Sequence, residues 1–526
     1  MPTSSSNPVV LTARALTFSD VVAVARNDAQ VMIHDDVFPR VQAARAVVEA
    51  ALADGHAHYG VNTGFGSLSR QRIPPDRLRD LQRNLIRSHS AGIGEPLQVP
   101  VVRAMMLLLC ASLCRGHSGV RMATVTAIAA MLNKGLTPLV PAVGSVGASG
   151  DLAPLAAVGV ALLGEGDCYY RGTLQPVAVA MQSAGLAPLV LEAKEGLAII
   201  NGTHLMAGRA ALLAADIDVT FETAVGAAAM SLDACRGTDQ FLDARIHAAR
   251  SQPPQIQVAA MLRELLRGSQ IIPSHKEGDP RVQDPYCLRC TPQVLGASLA
   301  AIRGFRAEIM NELGAVTDNP LVFCDADGSS GLDGPPESIV SGGNFHGMPL
   351  AIPLDCITIA LAHIAGISER RTFWMISAFD SESHLKPYLA NDPGINSGLM
   401  IAQYTAAACC NEIITLCTPA SVSNISTSAG IEDYNSFGPR AAAKAARSLD
   451  LLNRVIAIEL LAAAEGIESH RPLRSGPLVE SIHARIRASV APLQGDRPLT
   501  PDIEQLAEAI SRGKLRPNFS QELHKN

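Results

Sequence analysis

Three consecutive small residues, Ala148, Ser149 and Gly150, are the part of the chain whose types and spacing favour unusual chemistry. They lie within Gly144–Leu155, between two apolar runs. A backbone so free of bulk can fold back on itself, so that the Gly150 amide nitrogen attacks the Ala148 carbonyl carbon. Loss of two waters, the second from the Ser149 hydroxyl, would leave a five-membered ring with an exocyclic methylene. Such a ring is an electrophile, which ordinary side chains do not supply.

The alternative interpretation is a glycine-rich loop before a helix, and a lone Ala-Ser-Gly favours that interpretation. Residues elsewhere in the chain must therefore distinguish a reactive tripeptide from an ordinary loop. A second glycine-rich loop, Tyr59–Gly66, carries a phenol, and its three glycines indicate tight turns or close approach of the backbone to a ligand. Cys287 and Cys290 have C-x-x-C spacing, but no second pair completes a zinc site, so we predict no metal.

The composition predicts extensive burial, part of it between subunits. Of 526 residues 48% are hydrophobic and 17% charged, and the mean hydropathy is +0.18. No apolar run reaches about 18 residues, so we expect no transmembrane helix. The net charge of −6, with acids and bases interspersed, argues against a nucleic-acid partner.

The N-terminus lacks the basic start and apolar core of a signal peptide, and eleven scattered cysteines are typical of reduced thiols, so we predict a cytoplasmic protein. Residues 1–18 are expected to be a disordered lead-in. The domains predicted after it are an N-terminal domain (19–204) with the small-residue loop, a central helical bundle (205–470) and a C-terminal helical end (471–526).

Helical periodicity dominates the chain and predicts a mostly α fold. The candidate helices are Val41–Leu52, Val101–Cys114, Arg121–Lys134, His204–Asp233, Ala297–Leu313, Pro349–Arg371, Ser397–Thr418 and Pro439–Gly466. Strand-like pieces are short, such as Leu321–Cys324 and Ser338–Val340. Helices this long and apolar favour a central antiparallel bundle that also packs between chains, beside a smaller mixed N-terminal domain.

Several separated segments carry a resemblance. In chain order they are Tyr59–Gly66, Gly144–Leu155, Glu195–Thr203, Gln283–Cys290, Thr317–Leu321, Ser341–His346, Asn396–Gly398 and Asp496–Glu504. Together they resemble the aromatic amino-acid ammonia-lyase family, which includes histidine, phenylalanine and tyrosine ammonia-lyases and related aminomutases. Each segment alone is a weak signal, but their number and order extend the resemblance over nearly the whole chain.

The resemblance implies that Ala148, Ser149 and Gly150 cyclise autocatalytically to a methylidene-imidazolone, with no external cofactor. It implies a homotetramer whose active sites each draw on three chains, with a small amino acid as the other partner. The reaction would eliminate ammonia from an L-α-amino acid and give a trans-α,β-unsaturated acid. Attack of the substrate amine on the electrophile would make the nitrogen a better leaving group.

By the same resemblance Tyr59 is the base that removes the β-proton. Its pKa of about 10 would have to fall toward neutrality, through helix N-termini or hydrogen bonds to the phenolate. Arg289 would bind the substrate carboxylate through its guanidinium fork. Tyr286, one turn earlier if this piece is helical, would lie beside the prosthetic group and assist amine departure.

Amide and aromatic side chains would complete the site. Asn201 and Gln283 would hydrogen-bond the carboxylate or the ring carbonyl. Asn344 would contribute near the carboxylate, and Phe345 would pack on the prosthetic ring. Without the resemblance, each of these residues would be interpreted as structural.

The substrate ring distinguishes family members, and four residues bear on it. His89, Met400 and Glu432 match the pattern of histidine ammonia-lyases, and a carboxylate at 432 suits an imidazole N–H. Tyr404 adds a hydroxyl that a phenol-binding enzyme would use, and Ile431 replaces the usual glutamine. We therefore predict L-histidine, giving trans-urocanate.

The alternatives are a tyrosine or phenylalanine ammonia-lyase, a 2,3-aminomutase, or a catalytically silent relative. His204 follows Asn201-Gly202-Thr203 where histidine enzymes commonly carry glutamine, which weakens the histidine prediction. An aminomutase differs only in adding the amine back before the product leaves, and that depends on residence time.

Overall fold

The computed structural model describes residues 7–324 and 338–520, and most of them lie in α-helices, as predicted. The helices up to residue 234 are α1 (Phe18–Arg26), α2 (Val37–Ala53), α3 (Leu78–His89), α4 (Val99–Cys114), α5 (Met122–Lys134), α6 (Leu152–Leu162), α7 (Val177–Ala184), α8 (Glu195–Ile200) and α9 (His204–Ala234). Those that follow are α10 (Ala244–Arg250), α11 (Pro253–Leu266), α12 (Tyr286–Arg289), α13 (Thr291–Glu312), α14 (Met348–Ser377), α15 (Met400–Leu416), α16 (Gly438–Glu468), α17 (Pro477–Arg487) and α18 (Thr500–Ser511).

The strands are short and form small separate sheets. They are β1 (Val9–Leu11), β2 (Val31–Ile33), β3 (Ile93–Pro96), β4 (Thr137–Pro138), β5 (Pro141–Val143), β6 (Asp167–Tyr170), β7 (Thr173–Pro176), β8 (Leu321–Val322) and β9 (Ile339–Val340). β1 pairs in parallel with β2, β3 pairs antiparallel with β5, and β6 lies between β4 and β7. β8 and β9 pair antiparallel, which confirms the two strand-like pieces that the sequence indicated.

The N-terminal prediction was wrong beyond the first residues. Val9 and Leu11 are buried while Val10 between them is 44% exposed, which is the alternation of a strand with one covered face. Leu16 is buried as well. The segment predicted as a disordered lead-in thus contributes β1 to a sheet, and residues 1–6 lie outside the described part.

Two compact units make up the chain. The first comprises Met1–Ala215, Arg306–Leu354 and Pro419–Ala443, and the second comprises Asp216–Phe305, Asp355–Thr418 and Lys444–Asn526. The predicted domain boundaries at residues 204/205 and 470/471, and the antiparallel arrangement of the long helices, stay predictions.

The core of the first unit is built on α4 and α6. Every residue from Val101 to Cys114 is buried, because this helix is apolar on all sides and packs against α1, α2 and α5. α6 packs against α3 and α8. Its position therefore fixes the small-residue loop that precedes it, and α8 fixes Asn201, which follows α8 directly.

The second unit holds a fully buried ion pair between Arg371 and Glu459. Glu459 also accepts hydrogen bonds from the hydroxyls of Ser231 and Ser368. Because a buried charge is tolerated only when it is paired and hydrogen-bonded, this cluster fixes the register of α9, α14 and α16 within the unit.

Of the described helices, α14 is long and apolar enough to cross a membrane by length and composition alone. The sequence predicts no such helix, because no uninterrupted apolar run is long enough. Within the structure 61% of its most apolar window is buried. This burial is typical of a core helix.

Candidate active site

The stretch Gly144–Asp151 forms a tight loop between β5 and α6. Gly147 and Gly150 have φ of +69° and +73°, which residues with side chains rarely adopt. A Cβ atom on Gly150 would lie 2.1 Å from the Gly202 carbonyl oxygen. Gly150 and Gly202 form a parallel β-bridge, and the Asp151 amide donates to the Gly202 carbonyl at 2.7 Å. Backbone packing therefore requires glycine at position 150.

Two serine hydroxyls hold the loop in this shape. Ser145 Oγ donates to the Gly150 carbonyl at 3.1 Å and accepts from the Gly147 amide at 3.2 Å. Ser436 Oγ, distant in sequence, donates to the Gly147 carbonyl at 2.9 Å. The backbone on both sides of Ser149 is thus fixed by hydrogen bonds.

Asp151, which the sequence analysis did not select, anchors the end of the loop. Its carboxylate is fully buried and accepts from the amides of Leu205 and Met206 at 2.9 and 3.0 Å, at the N-terminus of α9. Burial raises the pKa of Asp151 to about 7, against the effect of these hydrogen bonds. Its place directly after Gly150 was the available signal.

Tyr59 lies in the second glycine-rich loop, where the Asn62 side chain accepts from the His58 amide at 2.7 Å and steadies the turn. Burial raises the pKa of Tyr59 above its ordinary value of 10. A backbone hydrogen bond with Gly66 lowers this pKa, and the charge of Glu432 raises it further. In the chain without substrate, burial outweighs the single backbone hydrogen bond, and the lowering toward neutrality that a base needs stays a prediction.

Tyr59 and Ser149 line one cavity of about 400 Å³ in the first unit, a size within the range of small-molecule sites. The predicted site residues that line it are Tyr59, Ala148, Ser149, Asn201, Phe345 and Glu432. A candidate base, the hydroxyl of the candidate electrophile and a carboxylate thus share one space.

Other residues line the same cavity and were not predicted to be site residues. They are Gly66, Ser69, Asn319, Ser341, Gly342, His346, Ile431, Asp433 and Tyr434. Asn319, Ser341, Gly342 and His346 belong to segments that carried the family resemblance, which was the available signal. Ser69 and Tyr434 had no such signal.

Glu432 and Asn201 are two polar residues of the cavity whose side chains have hydrogen-bond partners. Thr427 Oγ1 donates to Glu432 Oε2 at 3.3 Å, which leaves the other carboxylate oxygen for a ligand. Asn201 Nδ2 donates to the Asn319 carbonyl at 3.1 Å, and Asn201 Oδ1 is buried without a hydrogen-bond partner in the described chain.

Besides Gly150, two predicted residues of this unit do not line the cavity. His89 is the last residue of α3, and its Nδ1 lies 2.9 Å from the Leu85 carbonyl oxygen within the same helix. Asn344 is exposed, and its Nδ2 donates to the Val316 carbonyl at 3.3 Å. In this chain the side chains of both residues are thus bonded to backbone carbonyls.

The remaining predicted residues belong to the second unit. Tyr286 and Arg289 form the ends of the single-turn helix α12, as the spacing predicted, and the guanidinium carbon lies 4.6 Å from the Tyr286 ring centroid. Tyr286 is 70% exposed, and Gln283 before it is exposed too. Met400 and Tyr404 lie on the first turns of α15, with Tyr404 59% exposed.

No cluster of three His, Cys, Asp or Glu side chains that could hold a metal ion occurs in residues 7–324 and 338–520. Burial raises the pKa of Cys287 to about 11, which disfavours the thiolate that metal binding needs.

Known proteins match this chain over nearly its whole length. The family model described as aromatic amino acid lyase matches residues 16–488. A histidine ammonia-lyase of Aromatoleum aromaticum is 44% identical over 498 residues, 95% of this chain and 92% of the relative.

Solved structures match the fold as well. Histidine ammonia-lyase from Trypanosoma cruzi has a TM-score of 0.89 and 37% identity, over 98% of this chain and 96% of that one. Tyrosine aminomutase from Streptomyces globisporus has a TM-score of 0.89 and 32% identity, over 98% and 99%. The chain therefore belongs to the aromatic amino acid lyase family and is a carbon–nitrogen lyase.

Proposed function

We propose that the protein is a histidine ammonia-lyase, which converts L-histidine to trans-urocanate and ammonia. The observation that carries the proposal is the single cavity shared by Tyr59, Ser149 and Glu432. The name of the 44% identical relative, which the chain matches almost end to end, supports the same substrate.

The proposal includes a methylidene-imidazolone formed from Ala148, Ser149 and Gly150, with no external cofactor. The loop suits this group, because Gly150 lies against the Gly202 backbone with no room for a side chain and Ser149 faces the cavity. When formed, the group supplies an electrophile that makes the substrate amine a better leaving group. The Ser145 and Ser436 hydroxyls would hold the loop backbone compact for cyclisation.

Tyr59 would remove the β-proton of the substrate. Burial and Glu432 hold its pKa above the ordinary value, so the phenol needs help to act as a base at neutral pH. A positive charge that arrives with the substrate, its ammonium or imidazolium, would oppose both effects. We therefore expect Tyr59 to ionise more readily with substrate bound than without it.

Glu432 would recognise the imidazole ring. A carboxylate accepts a charge-assisted hydrogen bond from an imidazole N–H, which a phenyl ring cannot donate. Thr427 holds one carboxylate oxygen and orients the other. The second candidate function, a tyrosine ammonia-lyase or 2,3-aminomutase, is favoured by the structural match to tyrosine aminomutase and by the hydroxyl of Tyr404.

The roles of the residues outside the cavity stay proposals. Arg289 would bind the substrate carboxylate with Gln283 or Asn344, and Tyr286 would assist amine departure. His89, Met400 and Tyr404 would contact the substrate ring.

We also propose a homotetramer with shared sites. Helix α14 supports it, because Ile352, Ile359 and Phe373 are 53%, 41% and 42% exposed along one face at helical spacing. Exposed Tyr286 is consistent with a site completed by another chain. A cytoplasmic location also stays a prediction.

Two measurements test the function. An intact mass lighter than the sequence by two waters at residues 148–150 is expected, and the full mass would exclude the methylidene-imidazolone. Incubation with L-histidine, L-tyrosine and L-phenylalanine, followed by near-ultraviolet absorbance, is expected to give urocanate. Coumarate without urocanate would reassign the substrate, and a β-amino acid would indicate an aminomutase.

Glu432→Gln tests the ring contact with a side chain of the same shape. We expect kcat/KM for histidine to fall about tenfold or more, because a hydrogen bond to a charged group is lost. Any activity on tyrosine should fall less. A larger loss on tyrosine would contradict the imidazole contact.

A further inference from the structure

A buried ion pair, Lys194–Asp318, lies close to the cavity but has no part in the proposed chemistry. Lys194 Nζ lies 2.6 Å from Asp318 Oδ2, and the two side chains are 0% and 2% exposed. Removing both charges from water is costly, and apolar residues often replace such a pair with no loss of stability. The pair therefore calls for an explanation other than stability.

The pair fixes the start of α8, the helix that Asn201 directly follows. Lys194 is the residue before α8 and has φ of +75°, an unfavourable conformation for a residue with a side chain. Its partner Asp318 directly precedes Asn319, and Asp318 Oδ1 accepts from the Asn319 amide at 2.6 Å. One carboxylate thus bonds both Lys194 and the backbone of Asn319.

The same segment fixes the end of α8. The Asn319 carbonyl accepts a hydrogen bond from Asn201 Nδ2 at 3.1 Å, and Thr317 Oγ1 accepts one from the Thr203 amide at 3.3 Å. Segment 317–319 therefore contacts α8 at both ends.

This arrangement determines which atom Asn201 offers to a ligand. A backbone carbonyl only accepts hydrogen bonds, so the Asn201 atom that faces Asn319 must be the NH₂ group. Asn201 Oδ1 is then the free polar atom of a residue that lines the cavity, and it is buried with no hydrogen-bond partner in residues 7–324 and 338–520. An acceptor repels a carboxylate and attracts an N–H donor.

We propose that Lys194 and Asp318 are positioning residues that, through Asn319, make Asn201 an acceptor for the substrate amino group. The proposal rests on the proposed function in one respect, which is that the ligand is an amino acid. Every candidate substrate carries the amino group. The role expected for Asn201, a hydrogen bond to the carboxylate or ring carbonyl, requires the opposite orientation of its amide.

The test compares two double variants that each remove a buried Lys–Asp pair. Lys194→Met with Asp318→Asn removes the pair beside α8. Lys444→Met with Asp355→Asn is the matched control, because that pair is also buried, at 6% and 5% exposure and 3.1 Å, in the other unit. Removing both partners avoids an unpaired buried charge.

Two ligands report separately on the two ends of the substrate. Histamine carries the amine without the carboxylate, and 3-(imidazol-4-yl)propanoate carries the carboxylate without the amine. Dissociation constants are measured by calorimetry for wild type and both double variants, with intact mass and melting temperature. If wild type binds the tyrosine analogues instead, tyramine and 3-(4-hydroxyphenyl)propanoate replace them, so failure of the histidine proposal is distinguished from failure of this one.

We expect the Lys194/Asp318 variant to bind the amine ligand about tenfold more weakly and the carboxylate ligand within about twofold of wild type. The Lys444/Asp355 variant should bind both as wild type does. Four results would each overturn the proposal. In binding, these are equal weakening of the affinity for both ligands, a larger weakening for the carboxylate ligand, and the same pattern in the control variant. The fourth is failure of the Lys194/Asp318 variant alone to fold or to lose two waters.

Discussion

The loop Gly144–Asp151 and the segment Gln283–Cys290 both carry the family resemblance, yet they differ in packing and in the exposure of their side chains. The loop is held on both sides by hydrogen bonds, and a Cβ on Gly150 would lie within 2.1 Å of neighbouring backbone. The segment contains the single helical turn α12, whose Tyr286 is 70% exposed and whose Arg289 Nε is buried with no hydrogen-bond partner among the described residues.

This difference indicates two kinds of functional part. A loop that cyclises, as we propose for Gly144–Asp151, needs a fixed backbone, and its neighbours are backbone atoms and small hydroxyls. Side chains that must bind a substrate keep their polar atoms free until the ligand arrives. Substitutions in the first region should therefore affect formation of the electrophile and the fold, and those in the second should affect affinity.

Ser149→Ala is expected to give the largest effect on the loop side. Without the hydroxyl the second water cannot be lost, so kcat should fall by roughly a thousandfold or more while the melting temperature stays near that of wild type. Steady-state kinetics, intact mass and thermal unfolding check this. Substantial activity with the full mass would show that the loop is not the electrophile.

Gly150→Ala tests how much the close packing of the loop contributes to the free energy of unfolding. The new Cβ would meet the Gly202 carbonyl at 2.1 Å with φ of +73°, so we expect a loss of about 3 kcal/mol or more. The control is Gly135→Ala, which has φ of +69° but nothing within 4 Å, and should lose only about 1 kcal/mol. Urea unfolding measures both; equal losses would mean that close packing at Gly150 contributes nothing.

Arg289→Lys tests the segment Gln283–Cys290. Lysine keeps the charge but lacks the planar fork, so KM should rise about tenfold to a hundredfold with a smaller change in kcat. The intact mass should still lack two waters. A variant that loses the mass deficit, or loses kcat at unchanged KM, would contradict the division between the two regions.

The smallest effect is expected for a substitution of His204. This residue lies next to Gly202, where a Cβ atom on the glycine would be 2.4 Å from the His204 ring. Neither ring nitrogen has a hydrogen-bond partner in the part of the chain that the structure describes, and burial lowers the pKa of His204 to about 3. As the pH falls through about 6.5, His204 is protonated in the unfolded chain but stays neutral in the folded chain. The stability that is present above this pH is therefore lost as the pH falls toward 3.

His204→Gln removes this titration. Between pH 6 and pH 4 wild type should lose about 1 kcal/mol per pH unit relative to the variant, which urea unfolding at each pH measures. Parallel pH profiles would contradict neutral burial of His204.

Several features of the fold and site could be predicted from the sequence. The helical candidates are helices in the structure, and the strands at Leu321–Val322 and Ile339–Val340 match, because periodicity records which side is buried. Asp151 was missed because its burial depends on the N-terminus of α9, more than fifty residues away in the chain. The raised pKa of Tyr59 in the chain without substrate could not be predicted, because burial is not readable from a loop sequence.

The sequence by itself determined the helical class and the family and indicated the candidate tripeptide Ala148-Ser149-Gly150, because each depends on residue types in a fixed local order. Only the tertiary structure decided that Tyr59, Ser149 and Glu432 share one cavity while His89 and Asn344 do not line it. It also decided which atom of Asn201 is free. These features depend on backbone groups such as the Asn319 carbonyl, whose position follows from packing between segments far apart in the chain.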